Sequence, residues 1–190
     1  MRVCVVAPTY QEAENITRFL EAVRLSVPNA SVLIVDDNSP DGTGRLADEA
    51  AARLGNIHVL HRAGKLGLGS AYREGFEWAL SQGFDIVVSM DVDFSHDPAV
   101  IPQLVGLVER GADAAVGSRY VPGGGTVAWP WHRRMLSRWG NRYTATILRL
   151  PVSDCTTGFR AYSAAALRAI DPGSTRAEGY AMLTEFVRRR

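Results

Sequence analysis

Cysteine is nearly absent from this chain. Cys4 and Cys155 are the only two in 190 residues, they lie far apart, and no Cys-x-x-Cys occurs. That excludes a disulfide framework and a thiolate metal cluster, and makes a reducing, cytoplasmic compartment the expectation. Charge of one sign is missing too: 21 basic residues stand against 20 acidic ones, for a net charge of +1. Such a balance draws no chain as a whole to nucleic acid, so none is expected as a partner, and any attraction to lipid must be local. No apolar run approaches the ~18 residues that cross a bilayer, and the sequence does not open with the basic region and apolar core of a signal peptide. The expectation is a protein neither secreted nor anchored by a span of its own.

Several nucleotide and metal signatures fail as well. There is no Gly-x-x-x-x-Gly-Lys-Ser/Thr, so this is no P-loop enzyme. Gly64…Gly67-Leu68-Gly69 misses the third glycine of a dinucleotide fingerprint, which would fall at Tyr72, and it follows the third strand-like run, not the first. Asp37-Asn38-Ser39-Pro40-Asp41-Gly42 begins like a calcium loop but has Asp48 where the closing glutamate belongs. Asp91-Val92-Asp93 fails the same comparison at His96 and Pro102. His58, His61, His96 and His132 show no metal spacing and read as surface or packing residues.

What remains is one domain's worth of alternating structure. Val3–Ala7, Val32–Val35, Ile57–Leu60, Ile86–Met90 and Ala114–Val116 are short, apolar and rich in β-branched residues, as expected for strands buried on both faces. Glu12–Val27, Asp41–Leu54, Leu68–Ser81 and Pro98–Glu109 carry helical spacing between them. Cys4 falls in the first strand and is expected in the core. The alternation predicts an α/β fold, a doubly wound and mostly parallel sheet in a single domain. Ligands of such sheets lie beyond the carboxyl ends of the strands. Four polar loops follow strands there: Pro8–Asn15, Asp36–Thr43, His61–Gly69 and Asp91-Val92-Asp93. In the last, two aspartates spaced one apart close an apolar run. They fit either a hard divalent cation or a solvated turn before a helix.

Together, Pro8-Thr9-Tyr10-Gln11-Glu12, Val35-Asp36-Asp37-Asn38-Ser39-Pro40-Asp41-Gly42-Thr43, Asp91-Val92-Asp93 and Gly117-Ser118-Arg119-Tyr120 resemble glycosyltransferase family 2, inverting enzymes of the GT-A fold that use nucleotide-sugar donors. Gly67-Leu68-Gly69…Ala71-Tyr72…Gly75-Phe76, Ser95-His96-Asp97-Pro98 and Asp154-Cys155-Thr156-Thr157-Gly158-Phe159-Arg160 are similar to the dolichyl- or polyprenyl-phosphate mannosyltransferase branch. The resemblance runs from residue 3 to residue 187. It implies transfer of mannose from GDP-mannose to dolichyl or polyprenyl phosphate. Pro8, Tyr10, Glu12, Val35 and Asp37 would contact the nucleoside, and Lys65 the donor phosphate, although a solvated lysine fits that position equally. One of Asp36, Asp37 and Asn38 is expected only to cap a turn. Asp91, Val92 and Asp93 would line the donor site, with Asp91 and Asp93 holding Mg²⁺ or Mn²⁺. Ser95 stands where relatives supply a third ligand, often Gln, and water is expected to fill that place. Arg119, Arg133 and Ser137 match the acceptor-phosphate positions, with Arg119 also catalytic and against the donor. A phosphate monoester is already mostly ionised near neutral pH, which accounts for the lack of an evident general base.

Residues 127–150 combine Trp129, Trp131 and Trp139 with several arginines, and Leu136, Trp139, Tyr143, Ile147 and Leu150 recur at helical spacing. The pattern fits an amphipathic helix on a membrane surface and equally one packing its stripe on the sheet; a lipid acceptor favours the membrane. Localisation is therefore expected to be peripheral, on the cytosolic face of a membrane, with a separate membrane protein as a candidate anchor. The ending Glu185–Arg190 has no helix stop, so the GT-A domain of residues 1–190 is expected to be truncated, lacking the Arg/Lys loop that follows in relatives. Two other readings stay open. One is the same fold with a UDP-sugar donor such as UDP-glucose, and the other is a catalytically silent nucleotide-binding domain.

Overall fold

The computed structural model describes residues 1–122, 124–125, 130–148, 152–177 and 179–188. Its strands are β1 (Val3–Thr9), β2 (Ser31–Asp36), β3 (Ile57–His61), β4 (Ile86–Ser89), β5 (Ala114–Val116) and β6 (Arg160–Ser163). Helices α1 (Ile16–Ser26), α2 (Thr43–Leu54), α3 (Leu68–Ser81), α4 (Ile101–Glu109), α5 (Trp131–Leu148), α6 (Ala164–Ile170) and α7 (Tyr180–Arg188) connect and cover them. The six strands form one sheet in the order β3-β2-β1-β4-β6-β5. β1 to β4 pair in parallel, while β6 runs antiparallel to both β4 and β5. The four parallel strands are those the alternation predicts. β6 escapes such a reading because Arg-Ala-Tyr-Ser carries neither a β-branched run nor a period-two pattern, and its antiparallel insertion displaces β5 to the edge.

Both faces of the sheet are buried, and the residues alternate between two cores as the strand period requires. Val5, Ala7, Val32, Ile34, Ile86 and Val88 face α1, α2 and α4 through Phe19, Leu20, Ala47 and Leu104. Cys4, Val6, Leu33, Val35 and Val87 face the other way, onto Tyr72, Phe76, Leu167, Met182 and Phe186. Burial pushes the Cys4 thiol up to about 12, so this cysteine behaves as a small apolar side chain.

Helix α3 lies close on the sheet at Gly75, where a Cβ would come within 2.5 Å of Val6 Cγ1 and 3.1 Å of Val35 Cγ2. Gly75→Ala would gain up to ~1 kcal/mol of helix propensity. Overpacking against two β-branched strand side chains costs more, typically ~1–3 kcal/mol. A net loss of about 1–2 kcal/mol is expected from chemical denaturation; an unchanged or raised midpoint would show that α3 can lift from the sheet at no cost.

Candidate active site

The four parallel strands end on one edge, and their loops share a backbone peculiarity. Gln11 after β1, Asn38 after β2 and Phe94 after β4 are non-glycine residues with φ of 59°, 54° and 57°, and Gly67 after β3 has φ 97°. Left-handed backbone at a bulky residue such as Phe94 costs on the order of 1–3 kcal/mol and persists only where the surroundings enforce it. Here Phe94 packs edge-on to Phe19 at 6.5 Å, with the Arg18 guanidinium 5.2 Å from its ring centre. The loop bearing Asp91 and Asp93 is thus held in shape by the core.

The first two loops are stitched together. Asp36 is the turn-forming aspartate: its Oδ2 accepts the Ser39 N–H at 3.0 Å and its Oδ1 accepts the Ser39 and Thr9 hydroxyls. Asp41 accepts from both the Thr43 N–H and the Ala13 N–H, and the Glu12 N–H donates to Thr43 Oγ1. Asp37 is bound to its own chain as well. Buried Arg62 donates Nη1–H to its Oδ1, and the N–H groups of Leu66 and Gly67 donate to Oδ2 at 3.1 and 3.3 Å. Arg62 also donates to Glu74 at 2.7 Å and Ser70 at 2.6 Å. This network clamps the loop after β3 onto the end of β2.

The residues assigned to the nucleoside do converge here. Pro8 and Val35 are register partners in β1 and β2, and Lys65 Nζ lies 4.0 Å from the centre of the Tyr10 ring. That cation–π contact covers the flat face a base would stack on. Glu12 Oε2 accepts from Asn15 at 2.8 Å. The side chains of Val35 and Val92 belong to the two cores, which leaves only their main chain to meet a ligand.

Asp91 is a half-buried carboxylate held by its neighbours. Tyr72 OH donates to Oδ1 at 2.9 Å. Gly158 approaches so closely that a Cβ there would sit 3.1 Å from Oδ2. His96 stacks on Phe159 at 5.2 Å and turns Nδ1 toward Asp91 Oδ2, 3.9 Å away. That Nδ1 is buried and makes no hydrogen bond. Burial raises the Asp91 carboxyl above its ordinary value, opposed by His96 and the Tyr72 hydroxyl and assisted by the Asp93 charge. Burial likewise holds the His96 imidazole below its usual value, against the pull of Asp91 and Asp93. Asp93 is exposed, and its Oδ1 accepts the N–H of Ser95 at 2.9 Å. Among the described residues no group of three His, Cys, Asp or Glu side chains is placed to hold a metal by itself. A hard cation completed by substrate phosphates needs only one or two carboxylates. Asp91 and Asp93 are the candidates for that donor set, and Gly158, packed against the Asp91 carboxylate, has no Cβ to fill the space beside Oδ2.

The segment 154–160 joins this carboxylate end to Arg119. Ser89 Oγ donates to Gly158 O at 2.6 Å, and His96 Nε2 lies 3.4 Å from Thr157 Oγ1. Fully buried Arg160 donates to the carbonyls of Thr157 and Cys155 at 2.9 and 2.7 Å. Asp154 grips Arg119 in a two-pronged pair, Nε to Oδ2 and Nη2 to Oδ1, both 2.7 Å, and Nη2 also donates to Thr156 Oγ1. Burial alone would raise the Asp154 carboxyl, but Arg119 and the N–H groups of residues 119 and 156 outweigh it and hold it below the usual range. Asn141 on α5 accepts from the Cys155 N–H at 2.8 Å and donates to Tyr120 OH, which pairs with Ser137 Oγ at 2.7 Å. Arg119 and Ser137 are therefore neighbours through Tyr120. The side chain of Arg133 lies outside the described residues.

Tyr72, His96, Asp154 and Arg160 escape a reading of the sequence as site residues. All four nevertheless lie in strings that carry the family resemblance, Ala71-Tyr72, Ser95-His96-Asp97-Pro98 and Asp154-Cys155-Thr156-Thr157-Gly158-Phe159-Arg160.

A family profile described as Glycosyl transferase family 2 matches residues 4–171. Over 180 residues the chain is 46% identical to a polyprenol monophosphomannose synthase of Mycolicibacterium smegmatis, covering 94% of this chain and 68% of that one. It is 47% identical over 189 residues to an undecaprenyl-phosphate mannosyltransferase of Micrococcus luteus, covering 100% of this chain and 77% of the relative. Among solved structures, a glucosyl-3-phosphoglycerate synthase of Mycobacterium tuberculosis, solved with Mn²⁺, UDP-glucose and phosphoglyceric acid, superposes with a TM-score of 0.71 at 20% identity. The match covers 97% of this chain, which spans 63% of that structure. A mannosyltransferase of Pyrobaculum calidifontis, solved with GDP-Man and Mn²⁺, gives a TM-score of 0.62 at 20% identity, covering 97% of this chain and 51% of that one. These last two establish a shared fold.

Proposed function

Since the chain belongs to glycosyl transferase family 2, we propose that it moves mannose from GDP-mannose to a polyprenyl phosphate, with inversion at the anomeric carbon. The observation that carries this reading is the 46% and 47% identity, over 94% and 100% of this chain, to two polyprenyl-phosphate mannosyltransferases. Nucleoside and sugar would lie across the ends of β1, β2 and β4, with Tyr10 and Lys65 opening to admit the base and Lys65 then free to meet a donor phosphate. Asp91, oriented by Tyr72, and Asp93 would hold Mg²⁺ or Mn²⁺. When bound, that ion neutralises the charge gathering on the departing nucleoside diphosphate. At the other end Arg119, set by Asp154, and Ser137 would hold the acceptor phosphate, with Arg133 a further candidate.

An acceptor oxygen then attacks the anomeric carbon as the bond to the diphosphate breaks, and the electron pair leaves on GDP. The attacking phosphate is ionised beforehand, so no residue need remove a proton. The 154–160 segment, which fixes Arg119 and lines Asp91, supports a reading in which attack and departure would meet at one carbon. Isothermal titration with GDP, UDP and their sugars, in Mg²⁺ or Mn²⁺, tests the donor. We expect GDP-mannose binding at least tenfold tighter than UDP-glucose binding; UDP binding with no response to GDP would sink the mannose assignment. Mannose transfer to a short polyprenyl phosphate by the same chain would dispose of a catalytically silent domain.

A lipid acceptor would also bring the chain to a lipid surface. No helix among the described residues is long and apolar enough to cross a membrane. Helix α5 instead exposes Trp131, Met135, Leu136, Trp139, Tyr143 and Ile147 along one side, with Trp131 and Trp139 72% and 69% exposed. Its inward side is polar, through Ser137 and Asn141. The stripe does not pack on the sheet, and a peripheral seat with this stripe in the interfacial region is the reading we favour.

A further inference from the structure

Helix α5 carries a second feature beside its apolar stripe. Arg138, Arg142, Ala145 and Thr146 line a groove of about 470 Å³ whose opposite wall is Tyr120 and Ser153. At ~100° per residue, Arg138 and Arg142 stand on the seam between the inward side, which carries Ser137 and Asn141, and the exposed stripe of Met135, Trp139 and Tyr143. Both arginines are exposed and neither has a carboxylate partner among the described residues. Arg138 reaches over the Tyr120 ring, 5.7 Å from its centre. No Asp or Glu occurs anywhere in α5. The buried carboxylate of Asp154, next in sequence to Ser153, is already paired with Arg119. Ser153 faces Ser118 with hydroxyls 2.8 Å apart, which adds small polar groups to the wall.

We propose that this groove binds the phosphate headgroup of an anionic membrane lipid, separate from the acceptor phosphate. The inference rests on the reading of α5 as a membrane-seated helix. Two unopposed guanidiniums suit a phosphodiester, and their place at the edge of the stripe lets a lipid keep its headgroup in the groove and its chains along Trp139 and Tyr143. Arg119 and Ser137, the residues proposed for the acceptor phosphate, also meet Tyr120 but do not line the groove. The groove would thus anchor the helix in register with the bilayer while the acceptor site stays free.

Co-sedimentation with vesicles of phosphatidylcholine alone, or with added phosphatidylglycerol, tests this. Each arginine near an anionic surface is worth about fivefold in binding, so Arg138→Gln/Arg142→Gln should weaken binding to phosphatidylglycerol vesicles about twenty-five-fold and leave the weak binding to phosphatidylcholine unchanged. Ala145→Phe fills the groove without changing charge and should lose most of the same preference. Undiminished preference in Ala145→Phe would overturn the groove in favour of diffuse surface charge. Weaker affinity of the double arginine variant for a short polyprenyl phosphate in neutral detergent would also overturn it, assigning the groove to the acceptor. Trp131→Ala/Trp139→Ala examines the underlying premise: if it binds every vesicle as the unaltered chain does, the membrane seat itself fails and the groove with it.

Discussion

Replacing Asp93 with alanine is expected to lower sugar transfer by about a thousandfold in Mg²⁺ or Mn²⁺, with the fold intact. A cation at a leaving diphosphate supplies several kcal/mol of transition-state stabilisation, and each ~1.4 kcal/mol is a factor of ten in rate. Asp93 separates this effect from folding better than Asp91 does. It is exposed, and its carboxylate only accepts the Ser95 N–H at 2.9 Å. Asp91 is tied to Tyr72 and closely packed by Gly158, so its loss would disturb the site in other ways. Mn²⁺ binding in the presence of GDP, measured by calorimetry, should vanish in the same variant while its thermal midpoint stays within a degree or two. Unchanged turnover, or unchanged Mn²⁺ binding, would remove Asp93 from the metal site.

Arg119→Ala should cost about 3 kcal/mol of stability at pH 7 as well as acceptor binding. Removing one partner of a buried pair leaves the other as an uncompensated charge, which costs ~3–5 kcal/mol. Asp154 is the deeper partner, with its side chain 0% exposed against 23% for Arg119, so the low end of that range is appropriate. The pH dependence carries the sign. In the unaltered chain the Asp154 carboxyl lies below its ordinary value, so its contribution is present above the unfolded value of ~3.9 and is lost as pH falls through the depressed folded one. Without Arg119 burial dominates and the folded carboxyl should rise. The variant would then gain stability relative to the unaltered chain on acidification, and the gap should close below about pH 4. Denaturant unfolding at pH 7 and pH 4 measures it. A gap that stays constant with pH would show that Arg119 acts through packing and not through the Asp154 charge.

Of the fold, much was legible because it rests on local periodicity. Val3–Ala7, Val32–Val35 and Ile86–Met90 are apolar on both faces, and only a sheet covered on both sides satisfies that. Helix Leu68–Ser81 is bounded by the same residues in sequence and structure. β6 was not legible: its place between β4 and β5 depends on a chain reversal, not on a period of its own. Of the candidate site, the loops were legible by chemistry, since clustered Asp, Asn, Gly and Pro after apolar runs have few structural alternatives.

What the sequence by itself determined, then, is the alternation of elements, the one edge on which the polar loops gather and the apolar spacing of Leu136, Trp139, Tyr143, Ile147 and Leu150, the last of which lies outside the described residues. What only the tertiary structure decided is how those groups divide the work. Asp36 rather than Asp37 forms the turn, because its oxygens meet Ser39 and Thr9. Asp37 holds the β3 loop through Arg62, 25 residues away. Asp91 is set by Tyr72, 19 residues before it, and Arg119 by Asp154, 35 residues after it. The stripe of α5 faces outward. Spacing along a chain fixes which side chains share a face of one element. It carries no information about which carboxylate a distant guanidinium will meet, because that contact exists only once the sheet has brought the two loops together.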